Sequence, residues 1–179
     1  PIQLDNYIQM LAENGKRGRE QRFVPDESVA ALREAGLFRA LLPRKFGGNG
    51  ATPQEWFRAI IRLAEQDMST AWIAGVLSVH PFQISLMGDR ALQEVYGENP
   101  NTGVSSSYNP VGSRTEIVPD GIMLHGRWGW SSGSRYCDWV LLGAIVKGDN
   151  LVHTCLVPRS DYVIEDTWRV MGLQGTGSN

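Results

Sequence analysis

Apolar residues recur at helical spacing over roughly the first hundred positions and alternate in strand fashion thereafter. From Ile2 to about Arg22, Leu4, Ile8 and Leu11 share one face with Tyr7 beside them, which predicts an amphipathic helix. Pro25-Asp26 opens a second helix through Val29, Leu32 and Arg33, and Gly36 is its natural stop. The apolar run Leu37 to Leu42 leads into a loop, Pro43-Arg44-Lys45-Phe46-Gly47-Gly48-Asn49-Gly50. Thr52-Pro53-Gln54-Glu55 is the best helix start in the chain. Thr52 can cap, Pro53 fits the first helical position, and Glu55 completes a capping box. Trp56, Ile60, Leu63 and Ala64 then supply a buried face. The next helix, Thr70 to about Ser78, has Asp67 or Ser69 as its cap and is apolar nearly all round, which predicts a central position. His80-Pro81 is expected to interrupt it. Asp89 to Tyr96, stopped by Gly97, predicts the last helix.

From Thr102 the pattern predicts strands. Pro119-Asp120-Gly121 turns between Thr115–Val118 and Ile122–His125. Asp138–Val146 and Leu151–Val157 pair around Lys147-Gly148-Asp149-Asn150, and Tyr162–Glu165 is expected to be a further short strand. The predicted class is α+β, with a helical domain over 1–100 and a β domain over 101–179. The run from Gly172 to Asn179 looks flexible and uncapped, so the chain is expected to be a fragment of a longer protein. Pro1 in place of a start Met fits that expectation.

A chain of 179 residues can bury a substantial core. A net charge of -2 gives no reason to expect nucleic acid or an anionic membrane as partner. No apolar run is long enough to span a bilayer, and the N-terminus lacks signal-peptide regions, so a cytoplasmic location is expected. Cys137 and Cys155 have no metal-like spacing and are expected to be reduced packing residues.

Two polar, turn-forming runs carry the chemistry: Ser105-Ser106-Ser107-Tyr108-Asn109-Pro110-Val111-Gly112-Ser113 and Gly126-Arg127-Trp128-Gly129-Trp130-Ser131-Ser132-Gly133. Small hydroxyls, main-chain N–H groups and aromatic rings suit a flat heterocycle with a polar rim, such as a flavin. Taken alone, such runs are a weak signal, since Ser-Gly runs are usually just turns.

These motifs, with the helical half before them, resemble the acyl-CoA dehydrogenase superfamily along essentially the whole chain. Pro43 to Gly48 looks like that superfamily's Pro-x-x-x-Gly-Gly loop. Ser107 to Ser113 occupies the place of its Thr-Glu-Pro-Gly-Ala-Gly-Ser flavin segment, and Trp130-Ser131-Ser132-Gly133 that of its Trp-Ile-Thr-Asn. The first motif lacks the acidic residue and the second reads Ser-Ser-Gly. Both departures resemble the flavin-dependent aromatic hydroxylases built on the same fold, those acting on p-hydroxyphenylacetate and on phenolic secosteroids. Pro158 to Tyr162 and Met171 to Asn179 are similar to the secosteroid branch.

The resemblance implies a β-barrel-like middle domain, with a C-terminal helical bundle absent from this chain. It implies the oxygenase component of a two-component monooxygenase. Such a component uses reduced flavin, FMNH2 or FADH2, and O2 to ortho-hydroxylate a phenol through a flavin C4a-hydroperoxide. An NAD(P)H-dependent reductase would supply the flavin, and the parent protein would be a homotetramer. Activity of this chain alone is not expected.

By the same resemblance, Ser132 faces flavin N5, Ser107 lies near the flavin rim and the substrate hydroxyl, and His80 contacts the phenol. Imidazole suits that last task near neutral pH. Ser105, Ser106, Tyr108, Asn109 and Ser131 would bind flavin along its edge. Trp72 and Trp130 would pack on it, and Trp128 would be structural. Arg127 and Arg135 are either phosphate ligands or solvated charges. No metal ligand is expected. Three alternatives stay open: an acyl-CoA dehydrogenase, a sibling oxygenase acting on sulfur or nitrogen, and a non-catalytic interaction module.

Overall fold

The computed structural model describes residues 2–119, 121–148 and 151–179. Among these, five α-helices precede the strands: α1 Ile8–Gln21, α2 Asp26–Glu34, α3 Pro53–Ala64, α4 Met68–Ser85 and α5 Asp89–Tyr96. The first begins later than expected. Residues 2–7 enter as a turn, with Leu4 already buried and the Gln3 N–H bonded to the Ala35 carbonyl at 2.9 Å.

The helix starts follow local chemistry. The Glu55 N–H donates to Thr52 Oγ1 at 3.2 Å and the Thr52 N–H donates to Glu55 Oε2 at 2.7 Å, closing the capping box of α3. Asp67, rather than Ser69, caps α4: its Oδ2 accepts from the Thr70 N–H at 2.8 Å and from Thr70 Oγ1 at 2.9 Å.

The expected break at His80-Pro81 does not occur, and α4 runs through Pro81 to Ser85. Ala71, Ile73, Ala74, Leu77, Ser78, His80, Pro81 and Ile84 are all buried along it. Packing on several sides outweighs the single ladder hydrogen bond that a proline removes.

The strands are β1 Val104–Ser107, β2 Arg114–Val118, β3 Gly121–His125, β4 Trp139–Ile145 and β5 Val152–Pro158. One sheet has the order β1-β4-β5, with β1 parallel and β5 antiparallel to β4. The second sheet is the hairpin β2-β3, with Val118 opposite Gly121. Asp120 of the expected turn, and Asp149 and Asn150 of the next, lie outside the described residues. The small sheet domain is therefore an open sheet and a hairpin among the described residues. Tyr162–Glu165 is not a strand. Its side chains alternate between half-buried and exposed, but its backbone has no ladder partner among the described residues.

Two apolar clusters hold the halves together. One joins α1 to α4 with Cys137. The other joins Leu42, Ile84, Leu92, Val95 and Tyr96 to Val104 and Leu141 of the sheet. Helix α4 contributes to both clusters, and its outer flank therefore meets the polar loops of the β half.

Candidate active site

The Trp-Ser-Ser-Gly loop lies against α4. Trp130 and Gly133 both take left-handed backbone conformations, with φ of 70° and 69°. A Cβ on Gly133 would sit 3.1 Å from Ile73 Cδ1 and 3.2 Å from Leu77 Cδ1, so a side chain there would have to push both tips aside, and the left-handed backbone also favours glycine. Trp130, a bulky residue in that region, carries a backbone cost of about 1–2 kcal/mol. Its ring stands 77% exposed, with the Trp168 ring edge-on at 5.8 Å between centroids.

The C-terminal run is ordered, contrary to the expectation of a flexible tail. Gly175, Thr176, Gly177 and Ser178 are buried. The Ser131 N–H donates to the Asn179 carbonyl at 2.9 Å and the Gly133 N–H to the Thr176 carbonyl at 3.1 Å. The run earns its order from these contacts with a loop over forty residues away, which local composition does not reveal.

Where run, loop and helix meet, Trp72 Nε1 donates to Ser132 Oγ at 3.0 Å, Ser132 Oγ lies 2.7 Å from Ser178 Oγ, and Ser178 Oγ lies 2.8 Å from Thr176 Oγ1. Thr176 Oγ1 donates to the Leu173 carbonyl at 3.0 Å. Ser178 and Thr176 are thus site residues that the sequence reading passed over. The likeness of Met171 to Asn179 to the secosteroid branch was the available signal.

The other loop is placed by β1. Alternation puts Ser105 and Ser107 on one face and Ser106 on the other. Ser105 is fully buried beside the Cys137 thiol, which burial pushes well above its ordinary value. Ser107 Oγ donates to the Gly129 carbonyl at 2.6 Å and ties β1 to the tryptophan loop. Ser106 is the hydroxyl that meets His80, at 3.0 Å from Nε2, while His80 Nδ1 lies 2.6 Å from the Val104 carbonyl. A carbonyl only accepts, so Nδ1 carries the proton and Nε2 accepts from Ser106. His80 is 1% exposed, and burial pulls it down to about 4, so the ring is neutral at neutral pH.

Tyr108 donates to Gln83 Oε1 of α4 at 2.7 Å, and burial pushes its phenol up. A side chain at Gly143 would collide with the Tyr108 carbonyl, which fixes the loop on the sheet. Asn109 Oδ1 accepts from the Val111 N–H at 3.1 Å and shapes the turn. Trp128 Nε1 donates to the Gly143 carbonyl at 2.8 Å, a structural bond. Arg127 pairs with Glu165 at 2.6 Å, and the Arg135 guanidinium stacks on Phe23 at 3.5 Å from the ring centroid.

A cleft of about 960 Å³ opens between the hairpin, the tryptophan loop and β4-β5. Of the expected catalytic and flavin-contacting side chains only Ser131 lines it, with Arg127 on its rim, so the cleft adjoins the hydroxyl cluster without containing it. Ser131 Oγ is buried and has no hydrogen-bond partner in the protein. An unsatisfied hydroxyl, an acceptor at Ser132, and the exposed rings of Trp130 and Trp72 fit the polar rim and flat face of a flavin. Among the described residues no group of three or more His, Cys, Asp or Glu side chains could hold a metal, and no helix is long and apolar enough to cross a membrane.

The helical half and the loop-on-helix cluster give the fold, and comparison with known proteins gives the family. The acyl-CoA dehydrogenase N-terminal domain family matches residues 5–99, over half the chain, and the chain belongs to that family. It is 38% identical to the oxygenase subunit HsaA of a flavin-dependent monooxygenase from Mycobacterium tuberculosis, over 98% of this chain and 45% of that protein. It is likewise 38% identical to the oxygenase component of an FADH2-dependent resorcinol hydroxylase from Rhizobium, over 94% of this chain and 42% of that protein. The solved structure of the M. tuberculosis HsaA monooxygenase superposes with a TM-score of 0.93 at 38% identity, covering 98% of this chain and 49% of that one. The chain spans about half the length of the relatives it matches.

Proposed function

We propose that this chain belongs to the oxygenase component of a two-component flavin-dependent monooxygenase that hydroxylates a phenol ortho to its hydroxyl. The observation that carries the reading is the 3.0 Å bond from Trp72 to Ser132, which joins the central helix to the tryptophan loop at one polar point. The names of the relatives at 38% identity support the same reading.

Reduced flavin, when bound, supplies two electrons and the means to activate O2. With flavin bound, Ser132 would hold the proton at N5 by accepting its hydrogen bond, and Trp72 and Trp130 would cover the ring and exclude water. Ser105 is too deeply buried to reach a ligand, so the polar edge falls to Ser131 and to main-chain groups of Tyr108 and Asn109. Ser106 takes the substrate role that the resemblance gave to Ser107, because Ser106 is the one of the two that meets His80, while Ser107 ties β1 to the Gly129 carbonyl. The phenol O–H donates to Ser106 Oγ, whose own proton points at His80 Nε2. The neutral imidazole polarises the phenol through that hydroxyl and raises electron density at the ortho carbon. A separate NAD(P)H-dependent reductase and a homotetrameric parent complete the proposal.

The test is Ser132→Ala in the intact protein, supplied with reduced flavin, O2 and a phenol. Loss of one hydrogen bond is expected to lower product formed per flavin oxidised about five- to tenfold, with hydrogen peroxide replacing it. Unchanged coupling would exclude Ser132 from N5.

A further inference from the structure

Five groups at the site form one chain of four hydrogen bonds, and its direction is determined by counting protons. The Trp72 indole N–H only donates, and the Leu173 carbonyl only accepts. Between them stand three hydroxyls with one proton each, at separations of 3.0, 2.7, 2.8 and 3.0 Å along the whole path. One ordering gives every proton an acceptor: Trp72 to Ser132, Ser132 to Ser178, Ser178 to Thr176, and Thr176 to the Leu173 carbonyl. Reversing the hydroxyls would leave the Ser132 proton without a partner. Ser132, Ser178 and Thr176 are 7%, 6% and 1% exposed, so water does not readily substitute. In such surroundings a misdirected proton costs more than in solvent, and aligned bonds reinforce one another.

The consequence lies in what Ser132 has left. Its proton is held by Ser178, one lone pair takes the Trp72 N–H, and one lone pair remains. Toward a ligand, Ser132 can then accept but not donate. Reduced flavin carries hydrogen on N5 and donates there. Oxidised flavin has a bare N5 that can only accept, and would set one lone pair against another.

We propose that Ser178 and Thr176 are positioning residues that make the site selective for reduced over oxidised flavin, by fixing the direction of the Ser132 hydroxyl. The inference rests on the reading that flavin N5 meets Ser132. It accounts for a component that takes reduced flavin from solution and lets the oxidised form go.

The experiment measures anaerobic dissociation constants for reduced and oxidised flavin on the intact protein, for wild type, Ser178→Ala, Thr176→Val and Ser178→Thr. Wild type is expected to bind reduced flavin more tightly. In Ser178→Ala the freed Ser132 proton can reach oxidised N5, and the ratio of the two constants is expected to shrink about five- to tenfold. The midpoint potential of bound flavin then moves about 20–30 mV more negative, since tenfold is about 30 mV for two electrons. Thr176→Val, which keeps the volume and removes the acceptor for Ser178, shifts the ratio in the same direction. Ser178→Thr keeps a hydroxyl and retains the wild-type ratio. A ratio unchanged in both Ser178→Ala and Thr176→Val, with wild type still preferring reduced flavin, overturns the inference while leaving the flavin reading standing. Wild type binding neither form, or both equally, overturns the reading and the inference with it.

Discussion

His80 shows how burial sets the chemistry of a single residue. Its ring is enclosed, with the Val104 carbonyl on one nitrogen and Ser106 on the other. Burial lowers its value from 6.5 to about 4, because the charged form would lose its water. In the unfolded chain the ring takes a proton as pH falls through 6.5, whereas the folded ring does not. Native stability is therefore complete above 6.5 and declines as pH falls toward about 4. The gap corresponds to about 3 kcal/mol across that window. Urea unfolding of wild type and His80→Asn at pH 7 and pH 4 checks this: the variant, although weaker at pH 7, is expected to lose about 3 kcal/mol less on acidification. Equal losses would mean that His80 takes up its proton while folded. Of the serines, sequence identified the cluster but not which hydroxyl faces which partner. Ser106 and Ser107 are neighbours in the chain, yet strand alternation sends one to His80 and the other to Gly129.

Among the elements, α4 carries both halves of the proposed chemistry, Trp72 near its start and His80 near its end. Its anchor is Asp67, which caps Thr70 and also accepts from Arg19 Nη1 at 2.7 Å. Asp67→Ala is expected to cost about 1–2 kcal/mol in urea unfolding, and Asp67→Asn to recover most of the capping share. A silent Asp67→Ala would show that packing alone holds this end of the helix. Caps such as Asp67 and Thr52-Glu55 were legible because their partners lie three residues away. The passage of α4 through Pro81 was not, because burial by other elements decides it. Tyr162–Glu165 has the alternation of a strand but no ladder partner among the described residues, and the 173–179 turn is held by distant partners, the tryptophan loop, Phe23 and Ser69 among them. Period and capping are local properties, while ladder partners and buried hydroxyl chains are not.

At the scale of the molecule, the α+β order was readable from the change of period near residue 100, and the candidate site was located by its two motifs. What composition could not convey is that helix and sheet share an apolar cluster, so that the two loops converge on one helix flank. That convergence separates one candidate site from two unrelated turns. The family itself contains acyl-CoA dehydrogenases by name, and the decisive contrast is the direction of electron flow. A phenol hydroxylase receives flavin already reduced, and a dehydrogenase reduces bound flavin with its own substrate.

The most direct measurement supplies the intact protein with reduced flavin from a separate NADH-driven reductase, in air, with a simple phenol, and quantifies the aromatic product. The account requires a catechol whose new oxygen derives from labelled O2, formed only when protein, reduced flavin and phenol are all present. Flavin oxidation yielding hydrogen peroxide alone, together with reduction of protein-bound oxidised flavin by an acyl-CoA thioester, would contradict it and assign the site to dehydrogenation.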